Sequence, residues 1–289
     1  MQPDTRPSPG SIPAVLLAAR FLFPLDDDRH AEDPNWRTAG RWLVFWGLAI
    51  GVTYTLVFRI SWRWFGEYQY IRWMPAAAVL LIDLGCCGYR FLTGAARIAS
   101  RRYTCEADTA PFLNPAGLVA VLLVAIAKYA MLLSLPIGTW QSSLSDVGDH
   151  AAWASRLGYL YPDVIYRPLV LMPLWGRWGI MLAMSIGRVA PGGSYRLRRM
   201  AGGTHLSMIL VYWLLAAALT GVYCGGSGGY LARGLAVALG VMLASYLASF
   251  ALARRAGGQT EATTAVAGLV AELAFLSLYL PVASSIYWY

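Results

Sequence analysis

Four ionisable side chains, Asp83, Lys128, Arg177 and Glu272, fall near the middle of separate apolar stretches. A charged group at the centre of a bilayer costs about 2.5–3.5 kcal/mol on the gentler insertion scales, so each should face protein or trapped water and find a partner there. Two acids and two bases make a set of zero net charge. Three chemistries fit it: a structural network that holds helix register, a proton or ion pathway in which Asp83 or Glu272 titrates, and a phosphate-handling site. In the third, Lys128 and Arg177 clamp phosphates with help from the acid-free loop that carries Arg188 and Arg196, while Asp83 holds a divalent metal. Mg²⁺ needs several oxygens on one ion, and Asp83 is the one carboxylate in its apolar stretch.

The elements that position these groups follow from composition. The chain has 289 residues, 58% of them hydrophobic and 13% charged, with a mean hydropathy of +0.51. Those values describe an all-α, polytopic membrane bundle, and the apolar stretches lack the alternation that a transmembrane β-barrel requires. About seven transmembrane helices are expected, over residues 41–60, 73–92, 114–136, 164–186, 205–223, 231–252 and 262–280. The chain divides into an N-terminal segment, 1–40, with a short interfacial helix in 14–25, and a transmembrane domain, 41–289. In the last span, eleven helical steps from Glu261 to Glu272 carry the chain about 16 Å inward.

Smaller signals refine this outline. Gly47 and Gly51 form a small-residue pair that lets helices approach closely. Asn114 and Pro115 read as a cap and first helical residue, and Pro168 and Pro173 predict a kink facing the bundle interior. Trp62, Trp64, Tyr68, Tyr70 and Trp73 read as an interfacial aromatic belt. The acidic run at 26–33 and the loop 141–163, with Asp146, Asp149, His150 and Asp163, read as solvated. The turn Gly257-Gly258-x-Thr260 has two readings, a phosphate cradle or a tight connection between spans. Cys86, Cys87, Cys105 and Cys224 form no metal-ligand pattern, and His30, His150 and His205 are scattered.

The net charge of +8 comes from 22 arginines and one lysine set against 15 carboxylates. No nucleic-acid-binding motif accompanies it. The arginines concentrate in the loops after the second, fourth and sixth spans, Arg101 and Arg102 among them. That bias predicts a protein of the cell membrane with these loops and the N-terminus in the cytoplasm.

Read in order, FLFPL near residue 21, NPAGLVAVLLVAIAKYAML from Asn114, LMPLWGRWGIMLAM from Leu171 and RRAGGQTEATTAVAGLVAEL from Arg254 resemble the landmarks of the cobalamin-phosphate synthase family, the adenosylcobinamide-GDP ribazoletransferases. The resemblance implies a multi-pass membrane transferase that joins a nucleotide-activated corrinoid to α-ribazole, releases GMP and uses Mg²⁺. It implies site roles for Lys128, Arg177, Gly257, Gly258, Thr260 and Glu272, with Asp83 as a metal ligand; the family's acid after the glycine turn falls on Ala262, with Glu261 one place away as the ligand-binding candidate. The chain departs from the family's aspartate-rich segment, which here reads IDLGCCGYR, with Cys87 and Arg90 where further aspartates stand; Asp108 lies near another such position. Two functions therefore remain open: a diverged transferase, and a non-catalytic relative that binds a corrinoid or nucleotide-linked ligand, alone or as one subunit of an oligomer. A transporter ranks behind both, because no inverted repeat is visible.

Overall fold

The computed structural model describes residues 12–23, 33–65, 73–87, 89–100, 114–135, 165–191, 193–224 and 228–287. Tyr68, Tyr70, Arg101, Arg102, Cys105, Asp108, the loop 141–163 and most of the acidic run lie outside them. The described chain is an all-α bundle. Its elements are α1 (Ala14–Leu22), α2 (Trp36–Ala39), α3 (Leu43–Phe65), α4 (Trp73–Ile82), α5 (Tyr89–Ala99), α6 (Pro115–Leu133), α7 (Tyr166–Ser185), α8 (Tyr195–Gly203), α9 (Leu206–Cys224), α10 (Gly228–Ala256) and α11 (Glu261–Tyr287).

Among the described residues, five helical stretches are long and apolar enough to cross a membrane: 36–65, containing α2 and α3, together with α6, α9, α10 and α11. Their outer faces carry exposed leucines and valines, such as Leu122, Leu123, Leu214 and Leu243, as contact with lipid requires. Two of the seven expected spans differ from plain membrane helices. The second is broken: α4 and α5 meet at 70° across a π-helical turn, Asp83–Cys87. Such turns interrupt the regular helical ladder and occur often at functional positions. The fourth, α7, is long enough, but Arg167, Arg177 and two prolines make it less apolar than the five.

That composition suits its place, because α7 is the axis of the bundle. Every residue from Pro168 to Met184 is buried, so α7 meets protein on all sides. Helices α3 and α11 pack along most of its length, and α9 and α10 cover the rest. Trp175 donates from its indole to the Thr220 hydroxyl at 3.1 Å, and Trp178 donates to the Ile209 carbonyl at 3.1 Å, which pins α7 to α9.

Close approach to α7 depends on glycine. A Cβ on Gly47 would lie 2.8 Å from the Pro173 carbonyl oxygen, and one on Gly51 would lie 2.7 Å from the Val170 Cα. The small-residue pair thus packs against the axial helix. The expected cap of α6 is present, since the Asn114 side chain accepts from the Ala116 amide at 3.0 Å with Pro115 following. The short N-terminal helix is also present. Its Leu17, Phe21 and Leu22 are buried, and the Trp46 indole donates to the Val15 carbonyl at 2.9 Å. Helix α2 runs through a 3₁₀ turn, Gly40–Trp42, into α3, so residue 40 falls inside one continuous helical stretch.

The contact between α3 and α7 leads to a stability prediction. Gly51→Val forces a side chain into rigid backbone and should lower unfolding free energy in detergent by about 1–3 kcal/mol. Gly202→Ala, where an added Cβ meets nothing within 4 Å, should leave it unchanged within about 0.5 kcal/mol; a denaturant titration of both variants checks this.

Candidate functional site

The four ionisable residues meet at one point. Helix α6 delivers the Lys128 ammonium between two carboxylates, 2.6 Å from Asp83 Oδ2 and 2.5 Å from Glu272 Oε2. Arg177, from the middle of α7, donates through Nη1 to Glu272 Oε1 at 2.5 Å. The Tyr54 hydroxyl of α3 donates to Asp83 Oδ1 at 2.5 Å. All four charged residues are at most 1% exposed. The order Tyr54–Asp83–Lys128–Glu272–Arg177 ties α3, the π turn after α4, α6, α11 and α7 together and uses every oxygen of both acids.

Local sequence explains why the groups converge. Asp83 opens the π turn between α4 and α5, so its side chain leaves the helix where the helix breaks. Glu272 reaches α7 because position 176 is glycine: a Cβ there would lie 2.7 Å from the Glu272 carboxyl carbon. One turn away, a Cβ on Gly179 would lie 2.7 Å from the Ala271 side chain. Phe91, buried on α5, sets its ring against both cations, 4.8 Å from the Arg177 guanidinium carbon and 5.7 Å from Lys128 Nζ. Cation–π contact in a dry site contributes up to about 2 kcal/mol.

Phe91 also lines a cavity of about 290 Å³, together with Phe21, Arg90, Thr93, Arg97, Glu261 and Thr264. Glu261, at the start of α11, accepts from Arg90 at 3.2 Å and from the Ser194 hydroxyl at 2.5 Å. The Arg90 guanidinium also lies 4.6 Å from the Phe21 ring centre. This outer pair is about one-fifth exposed. Phe91 thus borders both the inner network and the outer cavity.

The glycine turn has a structural task. Gly257 and Gly258 hold φ of +69° and +144°, conformations that glycine adopts without a side-chain penalty. The Gly258 amide donates to the Ala253 carbonyl at 2.9 Å and the Gln259 amide to the Arg188 carbonyl at 2.8 Å, while the Ala190 amide donates back to the Gln259 carbonyl at 2.9 Å. The Thr260 amide donates to the Thr263 hydroxyl at 2.8 Å, and the Thr263 amide to the Thr260 hydroxyl at 3.2 Å. This reciprocal cap starts α11. Buried Gln259 spans the same joint, donating to the Ile186 carbonyl at 3.0 Å and accepting from the Thr263 hydroxyl at 2.8 Å. The amides at 258, 259 and 260 are therefore engaged within the protein, and the turn acts as a tight connection.

The remaining expected residues separate. Arg188 is exposed at the start of the turn after α7. Arg196, two residues into α8, lies 5.8 Å from the Trp36 ring centre. Neither joins the inner network. As a Mg²⁺ site the centre does not fit: the Lys128 ammonium stands between Asp83 and Glu272, and Tyr54 holds the other Asp83 oxygen. Among the described residues, no three His, Cys, Asp or Glu side chains converge.

Tyr54 and Phe91 escaped the sequence reading, and only Tyr54 left a signal there. It lies on the face that carries Gly47 and Gly51, three residues beyond Gly51, with a polar tip in an apolar stretch. Removing one partner from a buried ionic network strands the others, a loss of about 3–5 kcal/mol. Glu272→Gln, which removes the carboxylate facing both Lys128 and Arg177, should therefore destabilise by that amount. Tyr54→Phe, which removes one hydrogen bond to a charged acceptor, should cost about 1.5–3 kcal/mol; equilibrium unfolding in micelles measures both.

Comparison with protein families, curated proteins and solved structures returns no match for this chain.

Proposed function

We propose that this protein is a multi-pass membrane protein that binds a phosphorylated, nucleotide-linked ligand of the corrinoid type and does not carry out group transfer, as a non-catalytic relative of the cobalamin-phosphate synthase family. The observation that carries the reading is the capture of three carboxylates, Asp83, Glu261 and Glu272, by cations of the chain itself. Asp83 and Glu272 share Lys128, Glu272 also holds Arg177, and Glu261 holds Arg90. Metal-assisted phosphoryl chemistry draws on free carboxylate oxygens that bridge the ion to the phosphates. At Asp83, Glu261 and Glu272 those oxygens are already paired with cations.

What remains is suited to binding. The cavity beside Phe91 combines Arg97, the Arg90–Glu261 ion pair, the hydroxyls of Thr93 and Thr264, and the aromatic wall of Phe21. Guanidinium groups recognise phosphate oxygens in pairs, and an apolar wall suits the hydrocarbon edge of a large ring system. In this reading the arginine-rich loops and the cavity face the cytoplasm of a cell membrane, and the Asp83–Lys128–Glu272–Arg177 network holds the helices that frame the cavity.

Purified protein supplied with corrinoid-GDP, α-ribazole and Mg²⁺ should release no GMP, while retaining corrinoid-GDP in a dialysis assay. Arg97→Ala should weaken that retention about tenfold, equivalent to about 1.4 kcal/mol. Mg²⁺-dependent GMP release above the no-protein background would overturn the proposal in favour of a transferase with a rebuilt site. Absence of corrinoid-GDP binding by folded protein would overturn the ligand assignment.

A further inference from the structure

A second opening lies away from the buried network, at the joint between α7, α8 and α9. It is a cleft of about 550 Å³ bordered by Ser185, Arg188, Arg198, Thr204, His205 and Leu206. Its lining contains two arginines and a histidine, and no acid. Arg188, Arg198 and His205 are all exposed. Among the described residues the Arg188 side chain has no hydrogen-bond or ionic partner. Arg198 is held in place by the turn itself, donating from Nε to the Gly193 carbonyl at 3.1 Å and from Nη2 to the Pro191 carbonyl at 2.8 Å. The cleft therefore offers one pre-oriented guanidinium, a second that is unengaged, and the positive end of the α9 dipole.

The apolar surface beside the cleft selects its ligand. Leu206, which lines it, begins a stripe of exposed side chains, Leu206, Leu210, Val211 and Leu214, on one face of α9. From Leu206 to Leu214 the stripe descends about 12 Å along the helix. Helix α9 is one of the five long and apolar enough to span a bilayer, so the cleft opens where a lipid-facing surface begins. A basic site at that level, continuous with an apolar stripe, matches a molecule with an anionic phosphodiester head and acyl chains.

We infer that this cleft binds the headgroup of an anionic phospholipid, with its phosphodiester on Arg188 and Arg198 and an acyl chain along Leu206 and Leu210. The site is independent of the cavity beside Phe91 and stands whether or not that cavity binds a corrinoid.

Delipidated full-length protein in a neutral detergent would be titrated with dihexanoyl phosphatidylglycerol, dihexanoyl phosphatidylcholine and inorganic phosphate, with bound ligand counted by native mass spectrometry. The expected order of affinity is phosphatidylglycerol well above the other two. Arg188→Glu should weaken phosphatidylglycerol at least about tenfold, a loss of about 1.4 kcal/mol, without shifting the unfolding temperature, because only the Arg188 backbone is engaged in the fold. The Arg188→Ala, Arg198→Ala double variant should weaken it further. The Arg254→Ala, Arg255→Ala double variant, which removes equal charge elsewhere, should leave it unchanged. Equal binding of phosphatidylcholine, unchanged binding by Arg188→Glu, or an equal loss in the Arg254/Arg255 variant would each overturn the assignment. Inorganic phosphate binding as tightly as phosphatidylglycerol would overturn the lipid and leave a site for soluble phosphate.

Discussion

The Lys128 ammonium, held between the Asp83 and Glu272 carboxylates, is the contact on which the arrangement of the bundle depends. A carboxylate moved from water into a dry interior loses hydration that only close, well-aligned partners replace. Here each acid oxygen has one such partner within 2.6 Å. The demand for that geometry fixes more than the four residues. It requires a helix break at Asp83 and glycine at position 176, and it requires a narrow α3–α7 contact so that Tyr54 reaches its acceptor. Apolar packing against lipid cannot supply this specificity, because lipid tails are as apolar as leucine.

Much of this was legible in the sequence. Mid-span Asp83, Lys128, Arg177 and Glu272 stood out because bilayer physics makes such residues costly when unpaired, and they do meet. Gly47 and Gly51, and the cap at Asn114, follow local rules that tertiary context left intact. The break at Asp83 was not legible, since hydropathy reads the 73–92 stretch as continuous and is blind to a π turn. Residues 164–186 were expected as one membrane span among seven, and composition alone does not separate such a span from a helix enclosed by its neighbours. Phe91 carried no signal, because its role arises from a ring packed between cations on two other helices. The Gly257–Thr260 turn carried two readings in sequence, and its hydrogen bonds, made to residues some seventy positions earlier, give it a structural task.

Three functions of charge coexist in this molecule at different depths. In the interior, opposite charges cancel and hold the helices. At the helix ends, Arg90 and Glu261 pair at partial exposure beside a cavity lined by a further arginine and two threonine hydroxyls. At the α7–α9 joint, arginine occurs without any acid, where outward-facing leucines begin. The gradient from cancelled to uncompensated charge follows the gradient of solvent access, as expected where desolvation sets the cost of each ion.

The central claim is that Asp83 and Lys128 stabilise the fold by neutralising each other in the dry interior. The most direct test is a double-mutant cycle, with Asp83→Asn, Lys128→Met and the double variant unfolded by denaturant in the same micelles. Directly contacting groups couple by as much as about 3 kcal/mol, and the account predicts a coupling of at least about 2 kcal/mol, with the double variant more stable than the sum of the single losses allows. Additive losses, with a coupling near zero, would contradict it and mean that the two groups do not share a buried contact.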